Sequence, residues 1–235
     1  MKLIVITTEK FFDGEAEAIN LLFENGLKTL HLRKPSASQL EMEDFIPQIN
    51  KKFHKKIVIH DHYDLFRKFR LKGRHEKHKD WVASQKAACL EMQRLYKRPH
   101  PCIYCYKDSL PPGFNHAFLK FFGTYSKSCH SLEELSMTLH SHYVFLSPIF
   151  DSISKIDYYQ GFTLEQLREA KEKNIITERV IALGGITAEN IPIVRELGFG
   201  GVAVLGSLWW DYAVSKDVDK LLQRFNLLKK RCNSK

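Results

Sequence analysis

Apolar and polar positions in this chain switch repeatedly between two periods. Short apolar runs (KLIVIT, KTLHLRK, KIVIHD, YVFLSPIF, VIAL and GGVAVL) have the length and flanking turn residues of buried strands. Between them, apolar residues recur at helical spacing. The spacing predicts helices over 15–25, 38–53 and 131–140, then over 163–173, 187–197 and 214–228, with a short amphipathic piece over 63–69. Strand and helix taking turns means βαβ units on a parallel sheet, an α/β fold. Six strands are placed in this way. A fourth and fifth have to lie inside or beside residues 71–127.

The most informative strands are the last two. VIALGGI and, about fifteen residues later, GFGGVAVLGSLW both run from a buried strand into a glycine or small-residue turn. Glycine lets the main chain approach anionic oxygens closely, and a following helix start adds its positive end. Paired turns of this kind after strands seven and eight are the anion site of a (β/α)8 TIM barrel. In such a barrel all C-terminal strand ends open into one mouth. His31, Arg33 and Lys34, then His60 and Asp61, then Ser152, Ser154 and Lys155 are therefore expected to converge on the glycine turns. Three cations over a backbone cradle suit a substrate with more than one phosphate, or two phosphorylated substrates.

Composition changes this picture in one place. The chain has 235 residues, 44% of them hydrophobic and 12% aromatic, enough for a single domain of barrel size over 1–235. The net charge is +9, but 10 Lys/Arg against 4 Asp/Glu lie between Arg74 and Lys127, a local net of +6. That distribution argues against a general nucleic-acid surface, and no nucleic-acid-binding module accompanies it. The same stretch carries Cys89, Cys102 and Cys105 and the prolines Pro99, Pro101, Pro111 and Pro112. One CxxC without a partner pair is too little for a zinc site. Residues 74–127 read either as an insertion over the mouth or as a stretch foreign to the fold, such as a coding-frame error. The abrupt edges favour the second, in which case the proper fourth strand is lacking. No apolar run has the length of a signal peptide or a membrane span, so a cytoplasmic protein with reduced thiols and no membrane partner is expected.

The segments TLHLRKP, VIHDHYDL, SCHSLEEL, YVFLSPIFDSISK, VIALGGITAENI and GFGGVAVLGSLW, spread over 1–73 and 126–230, together resemble the thiamine phosphate synthase and thiazole tautomerase superfamily of (β/α)8 barrels. The resemblance implies condensation of a hydroxymethylpyrimidine diphosphate with a thiazole phosphate, with pyrophosphate leaving. Chemistry of that kind needs neutralisation of the leaving group more than a base. It places Arg33, Lys34 and Lys155 on pyrophosphate oxygens, and Ser152, Ser154, Gly184 and Gly185 on the thiazole phosphate. Gly206 and Ser207 belong to the second glycine turn, and Ser128 falls on the serine at the end of strand five. Mg²⁺ would be held by Asp61 and Asp80.

Several positions depart from the family pattern. His31 stands for a glutamine and His60 for an asparagine, and the glutamate between the two cations is missing, so Lys34 comes one residue early. Gly73, His75 and Asp80 retain the glycine, histidine and aspartate of the metal motif, yet Arg74, Glu76 and Lys77 occupy its strand and glycine positions. His130 matches a tautomerase position suited to proton transfer. The alternatives to a synthase are therefore a thiazole phosphate tautomerase and a non-catalytic phosphate-binding barrel. Homodimers are common for such barrels.

Overall fold

A computed structural model describes residues 1–76, 123–136, 141–151 and 159–234. Eight parallel strands close into a barrel in sequence order: β1 (Lys2–Ile6), β2 (Leu30–Leu32), β3 (Ile57–Ile59), β4 (Gly73–Glu76), β5 (Thr124–Cys129), β6 (Tyr143–Leu146), β7 (Val180–Leu183) and β8 (Gly201–Val204). β1 pairs with both β2 and β8, so no edge is left open. The α/β barrel read from the sequence is the fold.

Helices fill the intervals as the apolar spacing requires. α1 (Glu15–Glu24) buries Ala16, Ala18, Ile19, Leu22 and Phe23. α2 (Gln39–Phe45) starts with a reciprocal capping box, Ser38 accepting from the Glu41 N–H while the Glu41 carboxylate accepts from the Ser38 N–H. The single helix expected over 38–53 does not form. Pro47 cannot supply the N–H that the turn before it would bond, and the chain continues as 3-10 turns at Ile46–Gln48 and Lys51–Lys56. α3 (Asp64–Lys68), α4 (Leu132–Ser136), α5 (Leu164–Glu172, with a Thr163/Gln166 capping box) and α6 (Ile191–Glu196) follow. After β8 come α7 (Gly206–Trp209), α8 (Tyr212–Ser215) and α9 (Val218–Asn233). No described helix is long and apolar enough to cross a membrane.

A fourth strand is present, which corrects the expectation that the anomalous stretch deprives the fold of it. Gly73 to Glu76 pair in register with Thr124 to Lys127, and Val58 and Ile59 pair with Gly73 and Arg74. β4 hides from hydropathy because its residues find polar partners. Arg74 Nε lies 3.2 Å from Glu76 Oε1, and the Tyr125 hydroxyl donates to Glu76 Oε2 at 2.7 Å. A Cβ on Gly73 would come within 1.9 Å of the Thr124 carbonyl oxygen, so only glycine permits this seam. The basic stretch thus begins and ends inside barrel strands.

The core has two layers. The larger lies between strands and helices, and the smaller fills the lumen with Ile4, Ile6, Tyr143, Phe145, Ile181 and Ala203. The lumen is not apolar all round. On the β2 to β5 side it holds His31, His60, His75 and Ser126, all buried.

Candidate functional site

The glycine turn after β7 is set by close packing. Gly184 and Gly185 adopt φ of 97° and 61°, a region that side chains with a Cβ rarely enter. A Cβ on Gly184 would meet the Pro148 Cα at 2.8 Å, and one on Gly185 would meet the Asp151 carbonyl oxygen at 2.2 Å. The turn is held against the loop leaving β6, where the Ile149 N–H donates to the Leu183 carbonyl at 3.0 Å and the Phe150 N–H to that of Gly184 at 3.2 Å. Asn190 completes it, donating to the Gly185 carbonyl at 2.8 Å and accepting from the Thr187 N–H at 2.9 Å.

At the end of β8, Gly206 and Ser207 open α7, and the Trp209 indole N–H donates to the Ile6 carbonyl at 2.8 Å. Among the described residues no acceptor takes the backbone N–H groups of Gly184, Gly185, Gly206 or Ser207, and the buried Ser207 hydroxyl has no partner. Two neighbouring strand ends therefore present donors, as an anion site requires. Ser152, Ser154 and Lys155, expected to complete this half, lie outside the described residues, as does Asp80.

The two adjacent cations after β2 part company. Arg33 is held by its backbone: its N–H donates to Thr7 Oγ1 at 2.9 Å, and Thr7 Oγ1 donates to its carbonyl at 3.1 Å. Its guanidinium, about one-third exposed, pairs with Glu9 Oε1 at 2.7 Å. Exposed pairs of this kind are weak, so the guanidinium is exchangeable toward an anion.

Lys34 was expected beside it on the pyrophosphate and is found elsewhere. Its ammonium is fully buried against both Glu15 oxygens at 2.7 Å, donates to the Lys10 carbonyl at 2.9 Å, and lies 4.7 Å from the centre of the Phe11 ring. Burial lowers the Lys34 pKa and raises that of Glu15, each opposed by attraction to the other. This ammonium ties the end of β2 to the start of α1. Adjacent residues leaving a strand tend to point to opposite faces, which separates Lys34 from Arg33.

His31, His60 and His75 meet inside the lumen. His31 Nδ1 lies 2.9 Å from His60 Nε2, and His31 Nε2 lies 2.5 Å from the Tyr143 hydroxyl. The His60 and His75 rings stack with centroids 4.3 Å apart. His75 Nδ1 and Nε2 lie 3.0 Å from the hydroxyls of Ser126 and Ser128. Burial pushes the His75 pKa down to about 3, helped by the positive charge of Arg33, and pushes His31 well below its ordinary value, helped by His75. Burial also raises the Tyr143 phenol, which stays protonated. A neutral imidazole has one donor and one acceptor nitrogen. If Tyr143 donates to His31 Nε2, then His31 Nδ1–H donates to His60 Nε2 and every bond is satisfied with neutral groups. The sequence brings His31 and His60 to the mouth but does not join them to His75, Tyr143 and Ser126, because contact across the lumen depends on strand register. Ser128, which falls on the serine at the end of strand five, hydrogen bonds to His75.

Asp61 follows β3, half-buried, and is not the cap of α3, whose first turn has no side-chain cap. Its carboxylate is a hard oxygen donor at the mouth, and Mg²⁺ is commonly held by one or two carboxylates together with substrate phosphates. The described residues fit Mg²⁺ to that extent. His130, at the end of β5, is exposed; its Nδ1 lies 3.1 Å from the Ser147 carbonyl, and its N–H donates to Glu134 Oε2 at 2.7 Å.

Comparison with known proteins agrees with this architecture. The family described as thiamine monophosphate synthase matches residues 125–208. A crystal structure of thiamine phosphate pyrophosphorylase from Bacteroides thetaiotaomicron superposes with a TM-score of 0.73 at 35% identity, covering 99% of this chain and 98% of that one. A thiamine-phosphate synthase of Bacteroides fragilis is 24% identical over 88% of this chain and 91% of its own length. That of Lysinibacillus sphaericus is 33% identical over 43% of this chain, and the chain spans less than half, 46%, of that relative's length.

Proposed function

The chain belongs to the thiamine phosphate synthase family, and on that premise we propose that it joins a hydroxymethylpyrimidine diphosphate to a thiazole phosphate. In the reaction the bond between the pyrimidine methylene carbon and the diphosphate oxygen breaks, and its electron pair leaves with pyrophosphate. The ring nitrogen of the thiazole then donates its lone pair to the methylene cation, giving thiamine phosphate. No proton has to be removed for either step, so the site is asked for charge stabilisation and positioning.

The observation that carries this reading is the pair of strand ends with available backbone donors at Gly184, Gly185, Gly206 and Ser207, facing a mouth that also holds Arg33. The glycine turns, with Ser152 and Ser154, are assigned to the thiazole phosphate. Arg33 and Lys155 are assigned to the leaving diphosphate; Lys34 is not, because its ammonium is consumed by Glu15. Mg²⁺, held by Asp61 and by Asp80, would supply further neutralisation of the diphosphate. His31 and His60 are assigned to the floor of the pyrimidine pocket.

The test is formation of thiamine phosphate from the two phosphorylated substrates with Mg²⁺. Arg33→Gln is expected to lower kcat by about 10²–10³, the usual loss for one donor that stabilises developing charge. Substrate turnover by the wild type that is untouched by Arg33→Gln would defeat the assignment. A second reading, thiazole phosphate tautomerase, is favoured by His130, whose Nδ1 is anchored by the Ser147 carbonyl while its ring stays exposed. Proton exchange on a thiazole phosphate that is abolished by His130→Asn, with no condensation, would select it.

A further inference from the structure

Three histidines at 0%, 7% and 4% exposure form the polar half of a lumen whose other half is Ile4, Ile6, Ile181 and Ala203. Apolar residues of similar size would fill that space without the desolvation cost of three imidazoles. Their ligand-forming nitrogens all lie within 4.8 Å of one another. We propose that His31, His60 and His75 form a binding site for a single zinc-like divalent transition-metal ion inside the barrel mouth. This site is distinct from the Mg²⁺ assignment at Asp61 and independent of whether the chain makes thiamine phosphate.

The chemistry of the set selects the class of ion. Three neutral imidazole nitrogens suit Zn²⁺, Co²⁺, Ni²⁺ or Cu²⁺, whereas Mg²⁺ and Ca²⁺ take oxygen. Zinc–nitrogen bonds of about 2.0–2.1 Å place tetrahedral ligand nitrogens about 3.3 Å apart. His31 Nδ1 and His60 Nε2, at 2.9 Å, already face each other near that separation, and the ion takes the place of the hydrogen bond between them. The Tyr143 oxygen sits on the far nitrogen of His31, where an outer-shell partner belongs. Ser126 and Ser128 hold the two nitrogens of His75, so ligation by His75 displaces one of these hydroxyls and leaves the other as its outer-shell partner. Partners of this kind fix the tautomer and orientation of a ligating imidazole. Entry is from the mouth, because His60 directly follows the C-terminal end of β3.

The test uses the full-length protein stripped with chelator and titrated with Co²⁺ and with Zn²⁺. Expected are one equivalent bound, visible d–d absorption of a low-coordinate Co²⁺, and a rise in Tm with Zn²⁺ but not with Mg²⁺. His75→Gln is expected to weaken Zn²⁺ by more than the 10–100-fold typical of losing an outer-shell partner, with the metal-free Tm and far-UV circular dichroism checking its fold. X-ray absorption of the zinc-loaded wild type gives an answer that no variant is needed for: a first shell containing three imidazoles supports the site. Absence of stoichiometric binding overturns the proposal. So do sulfur ligands in the absorption spectrum, which would move the ion to cysteines, and a Zn²⁺-induced Tm rise that survives intact in folded His75→Gln.

Discussion

At the scale of single residues, the histidines under the mouth set the acid limit of the fold. His75 is fully buried and, with its pKa near 3, stays neutral in the folded chain over the whole range in which an unfolded histidine titrates. Above about pH 6.5 both states are neutral and the residue adds no pH dependence. Between about 6.5 and 3 the unfolded chain binds the proton and the folded one does not, so stability falls on acidification by about 1.4 kcal/mol per pH unit and levels off below. His31, whose pKa is also lowered by burial, adds to the slope, and Arg33 stands as the positive neighbour that resists protonation. The expected outcome is a urea midpoint that drops steeply from neutral pH downward, with a shallower dependence in His75→Gln. Equal slopes for the two proteins would mean that His75 is protonated in the folded chain. None of this was legible from the sequence, where HLRK and IHDH read as rim residues; the direction in which each imidazole points follows from register alone.

At the scale of elements, the question is what holds the end of β2 against the start of α1. The apolar face of α1 was readable from its spacing, and so was the capping box that starts α5. The link between strand and helix was not, because Glu15 looks like an ordinary acidic residue in a first helical turn and Lys34 like the second of two surface cations. Both side chains are fully buried and spend their charges on each other. Removing one partner of a buried pair leaves the other charge stranded, at a cost of about 3–5 kcal/mol. Lys34→Met is therefore expected to lower the urea midpoint sharply, and the double variant Lys34→Met/Glu15→Leu to recover most of the loss. Were Lys34 instead a ligand of the diphosphate, Lys34→Met would keep wild-type stability and lose turnover. The pair of measurements separates the two roles.

At the scale of the whole molecule, the barrel was legible because six of its strands are apolar or glycine-punctuated and alternate with helices of the right length. β4 was not, since hydropathy cannot find a strand made of Gly73, Arg74, His75 and Glu76. Its side chains face polar or charged partners: His75 turns into the lumen among histidine and serine partners, while Arg74 and Glu76 form an ion pair and Tyr125 donates to Glu76. Such a strand belongs to the fold only if closure depends on it. The seam with β5 gives the means to ask, because the Thr124 carbonyl leaves no room for a Cβ at position 73. A methyl group there must push β5 away from β4 and open the ring of backbone hydrogen bonds that joins all eight strands. Gly73→Ala is therefore expected to cost ~2–4 kcal/mol, in the range of mutations that overpack a core or strain its backbone, and to do so without changing the denaturant slope of a still cooperative transition. A chain in which residues 73–76 were only the ragged edge of a foreign stretch would tolerate the methyl group, and its unfolding midpoint would match that of the wild type.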